Sequence, residues 1–390
     1  MTFVVAACVL LVGPPSFELH TADGTTLSGS LAKLEADWSV SLAAPEAVHL
    51  PGAKFVSLRR TSTPLPPHPL GEQIILTDGD RLAGTLLSVN EERLRFRLAA
   101  GGEMAVPLSH VCVMWFTPVD SEKDAESALR RLAAQPRQRD IVIFRNGDAV
   151  EGTLQAIEGA GIRFRHEGKD QRLDRGKIAA LALNSELAQV PRWKSAYAQL
   201  VLSDGSRLSL AEARAADSAL QGRTLFGADV SFPLEHIIAI DSRQGPAVYL
   251  SDLKPKRYQH SPYLGVRWPF MNDSSVAGQP LRLAGGTYDR GIGLHSASRL
   301  TYDLDAAYRW FEATVGLDER TGQDGNVRID VLVDGQAVNL GMETEIAGRD
   351  PPRRLRVAVK GAQELTLLVE FGRHGDVGDH VNWADARLIR

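Results

Sequence analysis

Three features of the 390-residue sequence predict an all-β protein. Asp-Gly or Asn-Gly turns recur between apolar runs, the following stretches alternate with period two, and the chain carries 35 Gly and 20 Pro. Asp-Gly and Asn-Gly accept the positive φ that a tight hairpin needs. Alternation marks half-buried strands, and Gly with Pro marks turns. The expected architecture is a series of small β units followed by one larger β-sandwich.

Four segments repeat one pattern: "FELHTADGTTLSGSL", "IILTDGDRLAGTLLSV", "IVIFRNGDAVEGTLQAI" and "LVLSDGSRLSLAEA". In the first three, a glycine (Gly29, Gly84, Gly152) stands five residues after the turn glycine. Glycine inside a strand suggests a bulge or a sharp bend. Alternating stretches follow, such as "RLRFRL" at 93–98 and "IRFRH" at 162–166. Each unit closes on an apolar run: "FVSLRR", "VCVMWF", "IAALAL" or "IIAID". About five short strands per unit fit a small closed or nearly closed sheet. The expected units are 17–60, 70–118, 139–184 and 196–243. Between the second and third, "SEKDAESALRRLAAQPRQRD" reads as a helical linker over 119–138, ended by Pro136.

The "NGD…GTL" hairpin and the closing strand resemble Sm-like and SH3-like small barrels. Sm-like proteins bind RNA, but that role is not carried over. The chain has a net charge of −4 and a pI near 6.2, and nucleic-acid binding needs clustered Lys and Arg. Hydrophobic content of 44% and charged content of 24% are ordinary for a folded soluble protein.

The opening apolar run from Phe3 to Val12 is too short to span a bilayer. It matches the core of a signal peptide over 1–16, without the basic start, and a first buried strand is the alternative. A secreted, periplasmic or cell-surface location follows from the signal reading. Cys8 lies in this leader, and Cys112 reads as a small buried hydrophobe. No Cys/His spacing suggests zinc.

From about Val248 the pattern changes. "YLSDL", "RGIGLHSASRLTYDL", a Phe before "VGLD", "VLVDG", "VKGAQELTLLV" and "DHVNWADARL" follow in order. This stretch, 248–390, resembles the NPCBM family, the carbohydrate-binding module associated with glycoside hydrolase family 98. The resemblance implies a galactose-binding-like β-sandwich (jelly roll) over 247–390. The residues agree. Val327, Ile329, Val331 and Val333 alternate before the Asp334-Gly335 turn, and Phe311, Ala313 and Val315 share a face. "LRVAVKG" and "LTLLVEF" read as a further strand pair, and "ADARLIR" as the closing strand.

The resemblance also implies a ligand rim, with a galactose-type glycan as partner. Sugars are held by an aromatic face and by planar polar side chains. Trp268, His295, Asp318, Asp379, His380 and Trp383 are residues of those types, all but Trp268 within the shared motifs. Trp383 reads more readily as core than as platform, and Asp385 as a support that holds a loop by hydrogen bonds. No cofactor is required. The oxygen-rich loop "DERTGQDGN" suits structural calcium or a solvated turn. GxSxG, Walker, HExxH and Rossmann signatures are missing from the sequence. The expected function is therefore a non-catalytic, exported carbohydrate-binding protein. The alternative is a protein-interaction scaffold without sugar affinity, or an accessory part of a glycoside hydrolase system.

Overall fold

The computed structural model describes residues 15–43, 47–118, 124–191, 193–216, 218–263, 265–321, 324–373 and 375–390. The signal-peptide reading and Cys8 fall outside the described residues. No helix among the described residues is long and apolar enough to cross a membrane.

The chain is almost entirely β. Each N-terminal repeat contributes five strands, with one 3-10 turn before the fifth. In the second repeat these are Gln73–Leu76, Arg81–Val89, Arg93–Leu98, Glu103–Pro107 and Val111–Trp115. The first strand pairs with both the second and the fifth, all antiparallel. The repeats join in twos. The fifth strand of the first repeat, Phe55–Arg60, pairs with that of the fourth, Ile237–Arg243. The fifth strands of the second and third repeats, Val111–Trp115 and Ile178–Ala182, pair in the same way. Second strands add a smaller contact in both cases, at Ala215 with Leu34 and at Ile157 with Val89. One apolar core runs through all four repeats.

The in-strand glycines are required by close approach. A Cβ on Gly84 would lie 2.1 Å from the Arg97 carbonyl oxygen and 2.6 Å from the Phe96 ring. At Gly152 the same clash is with Arg165 and Phe164, at 2.2 and 2.5 Å. Each glycine therefore lets the aromatic ring of the next strand enter the core. The register shifts shortly afterwards, between Leu86 and Ser88 and between Leu154 and Ala156, which gives the expected bulges.

The helix spans Ala125–Ala134, capped by Asp124, which accepts from the Ser127 N–H. It is more than a linker. Leu129 and Leu132 pack on Val113, Trp115, Ala180 and Ala182, covering the sheet face where the second and third repeats join. Cys112 is half-buried beside it.

The C-terminal part is a two-sheet sandwich. One sheet runs in the order Met271–Asn272, Gly291–His295, His380–Ile389, Trp310–Leu317, Arg353–Ala358, and Ala247–Tyr249 pairs with the end of His380–Ile389. The other contains Arg257–His260, Ser298–Asp303, Glu364–Phe371, Asn326–Val333 and Gln336–Ala337, with Glu345–Ala347 beside Asn326–Val333. Val327, Ile329, Val331, Phe311 and Val315 are fully buried between the sheets.

Two expectations need correction. The segments "LRVAVKG" and "LTLLVEF" do not pair with each other, because the chain crosses from one sheet to the other between Ala358 and Glu364. Val359 and Ala362 anchor that corner in the core. The closing strand also begins at His380, four residues before "ADARLIR". It is central in its sheet, with Gly291–His295 on one side and Trp310–Leu317 on the other, so Val381 and Trp383 are drawn inside.

The two parts meet through polar and apolar contacts. Arg207 of the fourth repeat forms a two-pronged ion pair with Asp289 of the sandwich, at 2.9 and 3.0 Å. The Gln279 amide donates to Asp124 and Ser127 of the helix region. Val56, Ala247 and Ile389 form a small shared core, flanked by Trp310.

Candidate functional site

Four rings gather where strands of both sheets end. His295 ends Gly291–His295, His380 begins the neighbouring closing strand, and the two residues are register partners. His260 ends Arg257–His260. Trp268 comes from the loop that follows, which is pinned by a 2.6 Å bond from the Tyr258 hydroxyl to the Trp268 carbonyl.

The Trp268 ring stacks on His295 at 4.8 Å with only 5° between planes. His380 meets Trp268 edge-on at 5.2 Å and His295 at 5.4 Å. His260 is 6.0 Å from His295. Burial pushes the His295 pKa down to about 4, helped by the neighbouring His380. Burial likewise lowers His260 and His380, the latter against the pull of Asp318. All three imidazoles are therefore neutral near pH 7, able to donate at one nitrogen and accept at the other. His260 Nδ1 accepts from the Trp268 N–H at 3.3 Å, which leaves its Nε2 as donor. His380 Nδ1 is buried with no hydrogen-bond partner among the described residues.

The other candidates from the sequence have different surroundings. Trp383 is completely buried in the sandwich core, so it is a core residue and offers no platform to a ligand. Asp379 is also fully buried and accepts the Asn326 N–H at 3.0 Å. Asp318 is buried too. It accepts from the Arg320 N–H at 3.0 Å and from the Asn382 amide at 2.9 Å, while its own N–H donates to the His380 carbonyl. Asp379 ties the start of the closing strand to Asn326, and Asp318 ties the end of Trp310–Leu317 to the closing strand through Asn382. Of the six candidates, Trp268, His295 and His380 come together directly.

Sequence reasoning missed His260 and Tyr263. His260 sits in "RYQHSPY", outside the motifs that carried the resemblance, and only the fold brings it to the cluster. Tyr263 is 60% exposed, lies against Gly375 and meets Phe371 edge-on at 5.5 Å. Val266 and Val377 are similarly exposed on the same two loops. Apolar surface beside neutral hydrogen-bonding rings is a combination that suits a ligand with both C–H faces and hydroxyls. No group of three or more His, Cys, Asp or Glu among the described residues is placed to hold a metal ion.

Comparison with known proteins gives related results. A protein of Renibacterium salmoninarum named "Putative endo-alpha-N-acetylgalactosaminidase" is 29% identical over 112 residues, 29% of this chain. The matched region spans only 7% of that protein's length. Among solved structures, CBM51 from Clostridium perfringens GH95 in complex with methyl-galactose is 28% identical, covering 36% of this chain and 99% of that one, with a TM-score of 0.33. A Clostridium perfringens structure containing CBM51-2 in complex with GlcNAc is 25% identical, covering 44% of this chain and 36% of that one, with a TM-score of 0.34. Residues 246–389, the C-terminal sandwich, match the family model described as the NPCBM/NEW2 domain.

Proposed function

We propose that this protein is an exported, non-catalytic carbohydrate-binding protein whose sandwich takes a galactose-type glycan at the Trp268–His295–His380 cluster. The observation that supports this most is the stacked indole and imidazole, with two more neutral imidazoles within 6.0 Å of His295 or closer, in a domain that matches the model of a carbohydrate-binding family. Trp268, His260 and exposed Tyr263 would meet the sugar first, with His295 and His380 behind them. The competing reading, a scaffold without sugar affinity, draws on the depth of the last two, which are 3% and 9% exposed.

Titration calorimetry of the full chain with methyl galactoside separates these readings. Trp268→Ala is expected to weaken binding by about tenfold or more, equivalent to about 1.4 kcal/mol, while Tm changes little because the indole is only half-buried. Parent protein that binds no galactoside, or a Trp268→Ala protein that binds as well as the parent, favours the scaffold. The same titration carries a pH signature. The folded-state pKa of His295 is lowered, so the neutral ring persists below the ordinary value of 6.5 and charges only as pH falls through about 4. Affinity should hold through mild acidification and fall in that lower window. A loss centred near pH 6.5 would contradict the buried, neutral cluster.

A further inference from the structure

We infer that the cleft between the N-terminal repeats and the sandwich is a second binding site, for a monosaccharide-sized acidic sugar carrying one carboxylate or sulfate. The inference stands apart from the rim cluster, with which the cleft shares no residue. Its volume is about 560 Å³, within the range of about 300–1,000 Å³ common for small-molecule sites.

Its walls are rich in guanidinium groups. Arg59 and Arg60 come from the first repeat, and Arg354, Arg356 and Arg387 from the sandwich, against the carboxylates of Glu18, Glu312 and Asp385. Three of these cations are already committed. Arg387 donates twice to Glu312, at 3.1 and 3.0 Å. Arg356 lies 3.4 Å from Glu312 and stacks over Trp310 at 4.4 Å. Arg59 pairs with Asp241 at 2.9 Å.

The other two make no ion pair among the described residues, although Glu235 is near enough to Arg60 to favour its charge. Arg60 donates to the carbonyls of Leu234 and Glu235, and its Nε is buried without a hydrogen-bond partner among the described residues. The Arg354 side chain, which lines the cleft and is exposed, makes no ion pair or hydrogen bond among the described residues. Ser57 lines the same cleft, is 1% exposed, and its Oγ also lacks a partner among the described residues. His20 senses the excess positive charge. Burial, followed by Arg387, Arg59 and Arg354, pushes its pKa down to about 4. Guanidinium forks bind carboxylate and sulfate well, and a partly enclosed site strengthens that attraction.

A bare oxyanion explains only part of the cleft. Asp385 and Glu18 face the same space and would repel one. They would instead accept hydrogen bonds from ring hydroxyls. Asp385 stands at a bulge in the closing strand, where the register with Trp310–Leu317 shifts, and its φ is +49°. Bulges of this kind re-aim a side chain, often beside functional sites. Half-buried Tyr288 adds an aromatic surface, and Thr63 and Thr287 add hydroxyls. Cation, carboxylate, hydroxyl and phenol together match a hydroxylated ring with one anionic substituent.

The test is calorimetric titration of the full chain with glucuronic acid and with galactose 6-sulfate, beside galactose and inorganic sulfate. At least one acidic sugar should bind about tenfold or more tightly than galactose. Arg354→Gln should weaken acidic-sugar binding about tenfold or more at unchanged Tm, since the side chain is exposed, whereas the affinity of the acidic sugar itself should not change in Trp268→Ala. The two acidic sugars decide between carboxylate and sulfate. The inference is overturned if neither binds better than galactose, if inorganic sulfate binds as tightly as both, or if Arg354→Gln has no effect.

Discussion

Replacing Trp383 with alanine is expected to cost the sandwich about 3–5 kcal/mol, the range for deleting a large buried aromatic side chain. The indole is completely buried in the core, on a strand flanked by Ile292 on one side and Val315 on the other. Little slack exists there for neighbours to close a cavity. Trp383→Phe should cost far less. The indole N–H has no partner among the described residues, so the phenyl ring loses volume but also removes a buried unsatisfied donor. Thermal unfolding of the two variants checks this. A Trp383→Ala protein with parental Tm would place the ring outside the core. If Trp383 were a sugar platform instead, alanine would abolish binding without unfolding the domain.

Asp289→Ala should have a comparable effect, through a buried charge rather than a cavity. Arg207 has a side chain only 2% exposed, and Asp289 is its carboxylate partner. The guanidinium also donates to the Gly205 and Pro66 carbonyls at 2.6 and 2.7 Å, which fixes it in place. Removing the carboxylate strands that cation, a loss of about 3–5 kcal/mol in comparable buried pairs. Because the pair joins the N-terminal repeats to the sandwich, scanning calorimetry should show the two parts beginning to melt separately. A single transition at the parental Tm would contradict the account. Arg207 also holds the Asp289 pKa well below its ordinary value of 3.8. The pair therefore contributes fully above pH 3.8 and is lost only as acidification proceeds well below it.

The sequence showed much of the fold because its signals are local. Asp-Gly turns and alternating strands specify each hairpin, and the in-strand glycines, which the Phe96 and Phe164 rings require, marked the bulges that follow them. What pairs across long sequence separations was not legible. Nothing local in "FVSLRR" or "IIAID" says that Phe55–Arg60 joins Ile237–Arg243, 182 residues apart at the Arg59–Asp241 ion pair. The same limit applies to the two strands around Val359, which look like a hairpin and lie in opposite sheets.

The candidate site was legible by residue type more than by geometry. The motif match drew attention to His295 and His380, and residue type to Trp268, and the three do cluster. It also drew in Trp383, Asp318 and Asp379, whose side chains are buried away from the ring cluster's open face. A Trp in an alternating strand looks the same whether it faces a core or a ligand; only the central position of His380–Ile389 decides. His260 shows the reverse case, a residue with no notable sequence context that the sandwich places 6.0 Å from His295.

Sugar contact at the rim cluster is what separates a glycan-binding domain from a scaffold. The most direct test is nitrogen NMR of the histidine side chains in the full chain during titration with methyl galactoside. Sugar contact at the rim should give progressive shifts of the His260, His295 and His380 ring signals, saturating together, with little change at His20 in the separate cleft. Binding without movement of those three signals, or movement confined to His20, would contradict it.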